Sequence, residues 1–534
     1  MGTTESDASR RGLNFQNLGL EQLNLAELVE DFGEEEIWKT IRDMPAEKAP
    51  GPDGFTGLFY QACWDTIKCD VLAALQKFFS GNSQNLERLN SAVIILLPKK
   101  EAPALLKDYR PISLIHSFSN LATKLMATRL AGRMGDLIPY TQSAFIRGRS
   151  IHENFMFVRG MARRFHTEHQ PMALVNKAIS AGAMCGMGGR LWPPAISLYA
   201  DDAVLFFRPM QQDTWAVKAI LQLFGEATGL KANFAKSAIT TIRCLEDQAI
   251  LVQSILCCRL EPFPITYLGL PLSLRKLTKQ DVQPLLDRFS KKFAGWKPKF
   301  LSTGDRLTLI KSVLFALPVH YLSVLELPQS AIKEIDRKCR GFLWKGQEEV
   351  SGRHCLVAWK SVCMPYEKGG LAIKNLNFFG MALRLKWLAK RGEHRDRPWT
   401  TVETKQPKEL HDLFFSATRQ VLGDGENTKF WLADWLPIGS IKARFPLIFS
   451  HVERKGLTVA RGLQNHRWVR DIKGAPSNRG IGEYFQIWDA IQEVQLRGGE
   501  EDETIWKWAS NGRFTPSSAY DMFLWQTQRR VVAI

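Results

Sequence analysis

Ala195-Ile196-Ser197-Leu198-Tyr199-Ala200-Asp201-Asp202-Ala203-Val204-Leu205-Phe206-Phe207 holds two short apolar runs joined by an acidic tetrapeptide. Runs of this length, rich in Ile, Val, Leu and Phe, predict two strands with a tight turn between them. The turn places Asp201 and Asp202 at a hairpin tip. Paired carboxylates there suit divalent ions that clamp the attacking and leaving oxygens of phosphoryl transfer. Taken by itself, the tetrapeptide also reads as an ordinary Asp-rich turn.

The chain around it has 534 residues, enough for two to four domains with sizeable cores. Its 45% hydrophobic and 23% charged content is that of a globular protein. A formal charge of +17 and a pI near 9.4 point to a polyanionic partner, nucleic acid ahead of an acidic membrane surface. No apolar run reaches the roughly 18 residues of a spanning helix. No apolar segment of a secretory signal is visible at the N-terminus, and Met1-Gly2-Thr3-Thr4-Glu5-Ser6 matches the acylation pattern only loosely. The nine cysteines show no C-x-x-C pair and no Cys/His quartet. That argues against a zinc site or a secreted disulfide framework and for reduced thiols inside the cell, nucleus or cytoplasm left open.

Along the chain, Glu34-Glu35-Glu36 begins an amphipathic helix through Ile37, Trp38 and Ile41. A loop follows at Lys48-Ala49-Pro50-Gly51-Pro52-Asp53-Gly54. Helical periodicity covers residues 59–79, residues 93–97 read as a buried strand, and 118–138 as a basic amphipathic helix. From 173 to 195 the pattern degrades into small residues and glycines that match no phosphate-binding loop. A helix is expected over 215–227. Beyond residue 290 lie 12 of the 16 tryptophans, interleaved with Lys and Arg. This suits stacking on nucleic acid, although most of these rings are expected in cores.

Further short segments recur in a definite order. They are Lys48 to Phe55, then Leu96-Leu97-Pro98-Lys99-Lys100 and Tyr109-Arg110-Pro111-Ile112-Ser113-Leu114. Gln142-Ser143-Ala144-Phe145-Ile146-Arg147-Gly148-Arg149-Ser150-Ile151 precedes the acidic hairpin. Gly229-Leu230-Lys231-Ala232-Asn233-Phe234-Ala235-Lys236-Ser237, Tyr267-Leu268-Gly269, Trp296 and Arg306-Leu307-Thr308-Leu309-Ile310 follow it. Trp506-Lys507 through Phe514-Thr515-Pro516-Ser517-Ser518-Ala519-Tyr520 closes the series. Each is weak alone, but from about residue 37 onward the set resembles the reverse transcriptases of LINE-type (non-LTR) retrotransposons, the plant forms above all.

The resemblance implies an α+β right-hand polymerase. An N-terminal linker and helix over 1–45 would precede fingers over 46–170 and a palm over 171–290. A helical thumb and connection over 291–400 would lead to a Trp-rich, helix-rich region over 401–534 and toward a zinc-binding domain. It implies Mg²⁺ on Asp201 and Asp202, with an RNA template and a DNA primer as partners. Lys99 and Arg110 would clamp the triphosphate, or else form a solvated basic rim. Lys236 would supply charge or a proton to pyrophosphate, or else be a surface lysine. Arg147 and Arg149 would track template phosphates, or else serve the local structure. Tyr267 and Gly269 would form the turn that grips the primer. Oligomeric state is left open.

One departure dominates. The family carries its first catalytic aspartate on a strand ahead of the acidic hairpin, followed by a Gln-Gly-Asp-Pro loop. Pro171-Met172-Ala173-Leu174-Val175 looks like the start of that strand, yet no Asp or Glu lies between Glu168 and Asp201. The sequence reads as though several tens of residues were excised near Asn176. A two-metal site needs carboxylates from two strands, so the expectation is a polymerase by descent that is inactive as written. The excision is also expected to leave the palm misfolded or marginally stable. The endonuclease ahead of residue 37 and the terminal Cys/His knuckle of the family are likewise not found. The alternatives are a non-catalytic RNA- or DNA-binding remnant and the product of a misassigned splice junction.

Overall fold

The computed structural model describes residues 23–80, 86–176, 196–229, 232–296, 300–347, 355–393, 397–402 and 407–532. The glycine-bearing stretch from 177 to 195, Leu230-Lys231 and the N-terminal acylation-like hexapeptide lie outside the described residues. The chain divides into two compact units, Met1–Pro139 with Phe145–Arg149, and Tyr140–Ala144 with Ser150–Ile534. Helices and small sheets mix in both, an α+β composition. Among the described residues no helix is long and apolar enough to cross a membrane.

In the first unit, α1 (Glu34–Arg42) starts with three glutamates that complement the positive end of the helix and buries Ile37 and Ile41 one turn apart. It packs with α2 (Trp64–Phe79) and α3 (Ser117–Leu137) around Trp64, Leu75, Leu121 and Leu125. Strands β1 (Ala92–Pro98) and β2 (Tyr109–Ile115) form an antiparallel ribbon. The strand expected over 93–97 is therefore present, but every residue of β1 is exposed, not buried. An apolar run signals a strand, but whether a second layer covers it is not written in the periodicity.

The Pro/Gly knot has a structural task. The Asp53 carboxylate accepts from the Ser117 backbone N–H at 2.6 Å, capping α3, while the Ser117 hydroxyl donates to the Phe55 carbonyl. Gly51 lies so close to the end of β2 that a Cβ there would stand 2.1 Å from the Ile115 carbonyl oxygen. Gly51→Ala is expected to destabilise this unit by about 1–3 kcal/mol through forced backbone displacement. Urea denaturation followed by circular dichroism checks it, and an unchanged midpoint would refute this account of the loop.

The second unit is built on a five-stranded sheet of order β4-β5-β3-β6-β7. Its strands are β3 (Met172–Asn176), β4 (Ile196–Tyr199), β5 (Asp202–Phe207), β6 (Ala238–Ile242) and β7 (Arg259–Leu260). Alternate residues face opposite cores. Leu174, Val204, Phe206 and Ile242 pack with Phe155, Val158 and Phe165 of α4 (Ile151–Thr167). Val175, Leu205, Phe207 and Ile239 pack with Val217 and Phe224 of α5 (Gln211–Thr228) and Val252 of α6 (Glu246–Leu256). Coverage on both faces explains why 203–207 is continuously apolar instead of alternating.

The α4 core continues into the hairpin of β8 (Ile265–Tyr267) and β9 (Leu270–Leu272), then α7 (Gln283–Gly295), α8 (Gln329–Lys345) and α9 (Leu376–Glu393). Toward the C-terminus, α10 (Lys408–Ala417) and β10 (Thr418–Val421) lead to a core of Phe430, Trp431, Trp435 and Trp468 under α11 (Asn478–Gln492). Strand β11 (Glu503–Trp506) pairs with β10, and α12 (Pro516–Val532) packs along α9. Trp387, Trp399, Trp431, Trp468 and Trp506 are each fully buried. These aromatic residues build cores, as aromatic area does best.

Candidate functional site

Tyr199 pairs with Asp202, so Ala200 and Asp201 alone form the hairpin loop. Ala200 has φ +52° while Asp201 keeps negative φ, the sign pattern of a type II′ turn. Positive φ at an alanine costs on the order of 1 kcal/mol, so its surroundings must hold it. The Ala200 N–H donates to Gln142 Oε1 at 3.3 Å, and that oxygen also accepts from the Ala144 N–H at 3.0 Å. Thr141 O accepts from Leu198 N at 2.8 Å, and Leu198 O accepts from Ser143 N at 3.2 Å. Asn154 of α4 donates from Nδ2 to Leu198 O and to Ser197 Oγ, both at 2.8 Å. The open edge of β4 is thus covered by residues 141–143 and one buried amide. The Gln142-Ser143-Ala144 segment, notable in the sequence for another reason, is part of the scaffold of the acidic turn.

Asp201 is exposed and Asp202 half-buried. Strand β3 runs antiparallel to both β5 and β6, with Asn176 opposite Val204 on one side and Ala238 on the other. Asp202 lies two residues before Val204, and Lys236 two before Ala238. Both therefore sit at the sheet end where β3 finishes, on strands roughly 10 Å apart. The Lys236 N–H donates to Asn233 Oδ1 at 3.1 Å, and its side chain is exposed. β3 carries no carboxylate, and neither does any residue from 177 to 195. Among the described residues no group of three or more His, Cys, Asp or Glu side chains is placed to hold a metal ion. With both acids in one turn of one hairpin, the donor set does not fit a bridged pair of divalent ions.

Tyr267, Leu268, Gly269 and Leu270 form a second two-residue hairpin, with φ +50° at Leu268 and +76° at Gly269 as a type I′ turn demands. Gly269 is exposed, whereas Tyr267 is buried with its hydroxyl 3.4 Å from Ser197 Oγ. Burial, with the Asp202 carboxylate adding to it, pushes the Tyr267 phenol well up, so it stays protonated. The turn is pinned from behind. Leu268 O lies 2.9 Å from His320 Nε2, and His320 Nδ1 lies 3.1 Å from His152 Nε2. A carbonyl only accepts, so His320 donates from Nε2. Burial, then Lys386 and His320, push His152 down to about 4, which keeps it neutral at pH 7.

The remaining expected residues fall as follows. Lys99 and Arg110 lie in the first unit at the end of the β1–β2 ribbon where residues 99–108 connect the strands, and Lys99 Nζ donates to Lys107 O at 2.7 Å. Arg110 is exposed opposite Leu97. Arg147 is exposed, while the Arg149 guanidinium donates to Pro139 O at 2.6 Å and Ile138 O at 2.7 Å. Sequence reasoning did not find Asn154, His152 or His320, because one amide or imidazole on an apolar helix carries no periodic signal. Gln142 stood in view, but for its neighbours.

No protein-family profile matches the chain. It is 28% identical over 283 residues to a putative ribonuclease H protein of Arabidopsis thaliana, covering 47% of this chain and 44% of that one. It is 24% identical over 399 residues to an uncharacterized 149 kDa protein of transposon TX1 from Xenopus laevis, covering 59% of this chain and 30% of that one. The chain thus spans less than half the length of either relative.

Proposed function

We propose that this chain derives from a LINE-type retrotransposon, carries the reverse-transcriptase fold by descent, and binds nucleic acid without polymerising. The carrying observation is the end of β3. The strand that pairs with the acidic hairpin reaches Asn176 with no carboxylate to set beside Asp202. Two divalent ions bridged across strands would stabilise the charge that develops at the transferring phosphorus, usually the largest catalytic contribution. A single acidic turn leaves that contribution unmade. Support for the descent comes from the ordered motifs and from similarity to a transposon protein, and support for nucleic-acid binding from the +17 charge.

Primer extension on an RNA template with Mg²⁺ is expected to give no product, while a fluorescent RNA is retained in anisotropy with strong salt dependence. Asp201→Ala is expected to leave that binding unchanged. Extension abolished by Asp201→Ala would overturn the reading of inactivity, and absence of RNA binding would overturn the rest. Sequencing the transcript across the codons for residues 174–179 separates a true deletion from a misassigned junction.

A further inference from the structure

The second unit holds a cluster of cations that neither the acidic turn nor the ordered motifs account for. On α9, Lys386 and Lys390 lie one turn apart, and their ammonium groups stand 4.8 and 6.0 Å from the Trp387 ring centre. Among the described residues a single carboxylate, that of Glu153, pairs with this cluster. Glu153 of α4, with its side chain 5% exposed, sits 3.7 Å from Lys390 and 3.2 Å from the Arg397 guanidinium, which also lies over Tyr140. Among the described residues, three cations therefore share one anion. Arg397 takes the nearer of Glu153's two ion pairs. Lys386 is half-buried and Lys390 keeps 35% of its side-chain surface exposed.

We infer that Lys386 and Lys390, on their platform of Trp387, form a site for a phosphate group of a bound polynucleotide. The inference rests on the nucleic-acid reading above and gives it an address. A phosphodiester brings the negative charge the cluster lacks, and flexible ammonium stems suit a point contact to backbone oxygen. Burial, then Lys390, outweigh Glu153 and push Lys386 down to about 8. His152 from α4, backed by His320, faces the same lysine and is already neutral at pH 7. A phosphate seated here would restore the ammonium, so binding takes up a proton in a range where ordinary lysines stay charged. A solvated basic face would show no such coupling.

The test uses the full chain and a fluorescein-labelled single-stranded RNA, read by anisotropy at pH 7.0 and 9.0, with ATP as a second probe. Wild type is expected to bind more weakly at pH 9.0. K386R, charged throughout, should lose that pH dependence while binding at pH 7.0. K386A should bind more weakly at pH 7.0, with a salt slope shallower by about 0.7, the value of one single-strand phosphate contact. Equal pH ratios for wild type and K386R, or an unaltered salt slope in K386A, would overturn the site while leaving the wider nucleic-acid reading standing. Loss of ATP binding in K386A with RNA binding unaltered would overturn the polynucleotide assignment. Absence of RNA binding by wild type overturns both.

Discussion

Asp502→Ala is expected to destabilise the C-terminal region by roughly 3–5 kcal/mol, more than a single surface hydrogen bond could. The loop Gly423-Asp424-Gly425-Glu426-Asn427-Thr428 folds around that carboxylate. Oδ1 accepts from Gly423 N at 2.8 Å and Gly425 N at 2.9 Å. Oδ2 accepts from Asn427 N at 3.1 Å, Thr428 N at 3.0 Å and Thr428 Oγ1 at 2.9 Å. Alanine would strand those donors where Gly423, Gly425 and Thr428 are buried, immediately before the aromatic core begun by Phe430 and Trp431. Asp502→Asn should fare little better, because its amide nitrogen would meet N–H groups on one side. Hydrogen exchange over 420–470 and near-ultraviolet circular dichroism of the tryptophans report the loss. Wild-type protection in Asp502→Ala would refute the role.

The same carboxylate gives a signed pH dependence. Burial pushes the Asp502 carboxyl up, but hydrogen bonds from Gly423, Thr428, Gly425 and Asn427 outweigh it and hold it below the usual carboxylate range. A depressed folded pKa contributes stability that is present above the unfolded value near 4. It is lost as pH falls through the folded value. The difference between wild type and Asp502→Asn should therefore shrink on acidification below about pH 4.

Asp502 also shows what a sequence conceals. The acidic hairpin was legible as two apolar strands and a tight turn, though Tyr199 and Asp202, read as turn residues, pair as the last rung of the strands. The helices α1 and α5 were legible because apolar spacing is a local signal. Helix α3 forms where expected, but with apolar residues such as Met126 and Leu130 exposed and without the amphipathic face read for it. What escaped were the long-range roles of single polar side chains. Asp502 closes a loop 74 to 79 residues away, and Asp53 caps a helix 64 residues on. Arg149, read as a phosphate contact or a local structural residue, donates its guanidinium to two backbone carbonyls. Tyr267 reads as part of a primer-gripping turn, and its ring is packed in the core. A motif records that a residue matters, and only the packed chain shows which partner it meets. The β3 strand is the converse case. Its start and its lack of an acid followed from the sequence, whereas its place beside β5 comes from the packed sheet.

Glu153→Ala is the second large effect, expected at about 3–5 kcal/mol for a buried ion whose partners remain. Removing the carboxylate leaves Arg397, only 12% exposed at its side chain, without its anion under the Tyr140 ring. It also removes the carboxylate that, among the described residues, offsets the repulsion between Lys390 and Lys386, and drives Lys386 below about 8. The loss would come from the stranded cations more than from the pair itself. A double change, Glu153→Leu with Arg397→Met, should therefore recover much of the stability that Glu153→Ala loses. Urea midpoints of the single and double variants decide it. A double variant no more stable than the single one would mean that Glu153 acts through hydrogen-bonded packing of α4, not through charge. If stability returns in the double variant, the tolerance of this core for an apolar replacement would show that the ion pair is not needed for the fold. Its persistence would then be accounted for by what it arranges, a Lys386–Lys390 pair held short of one counter-charge at the surface of α9.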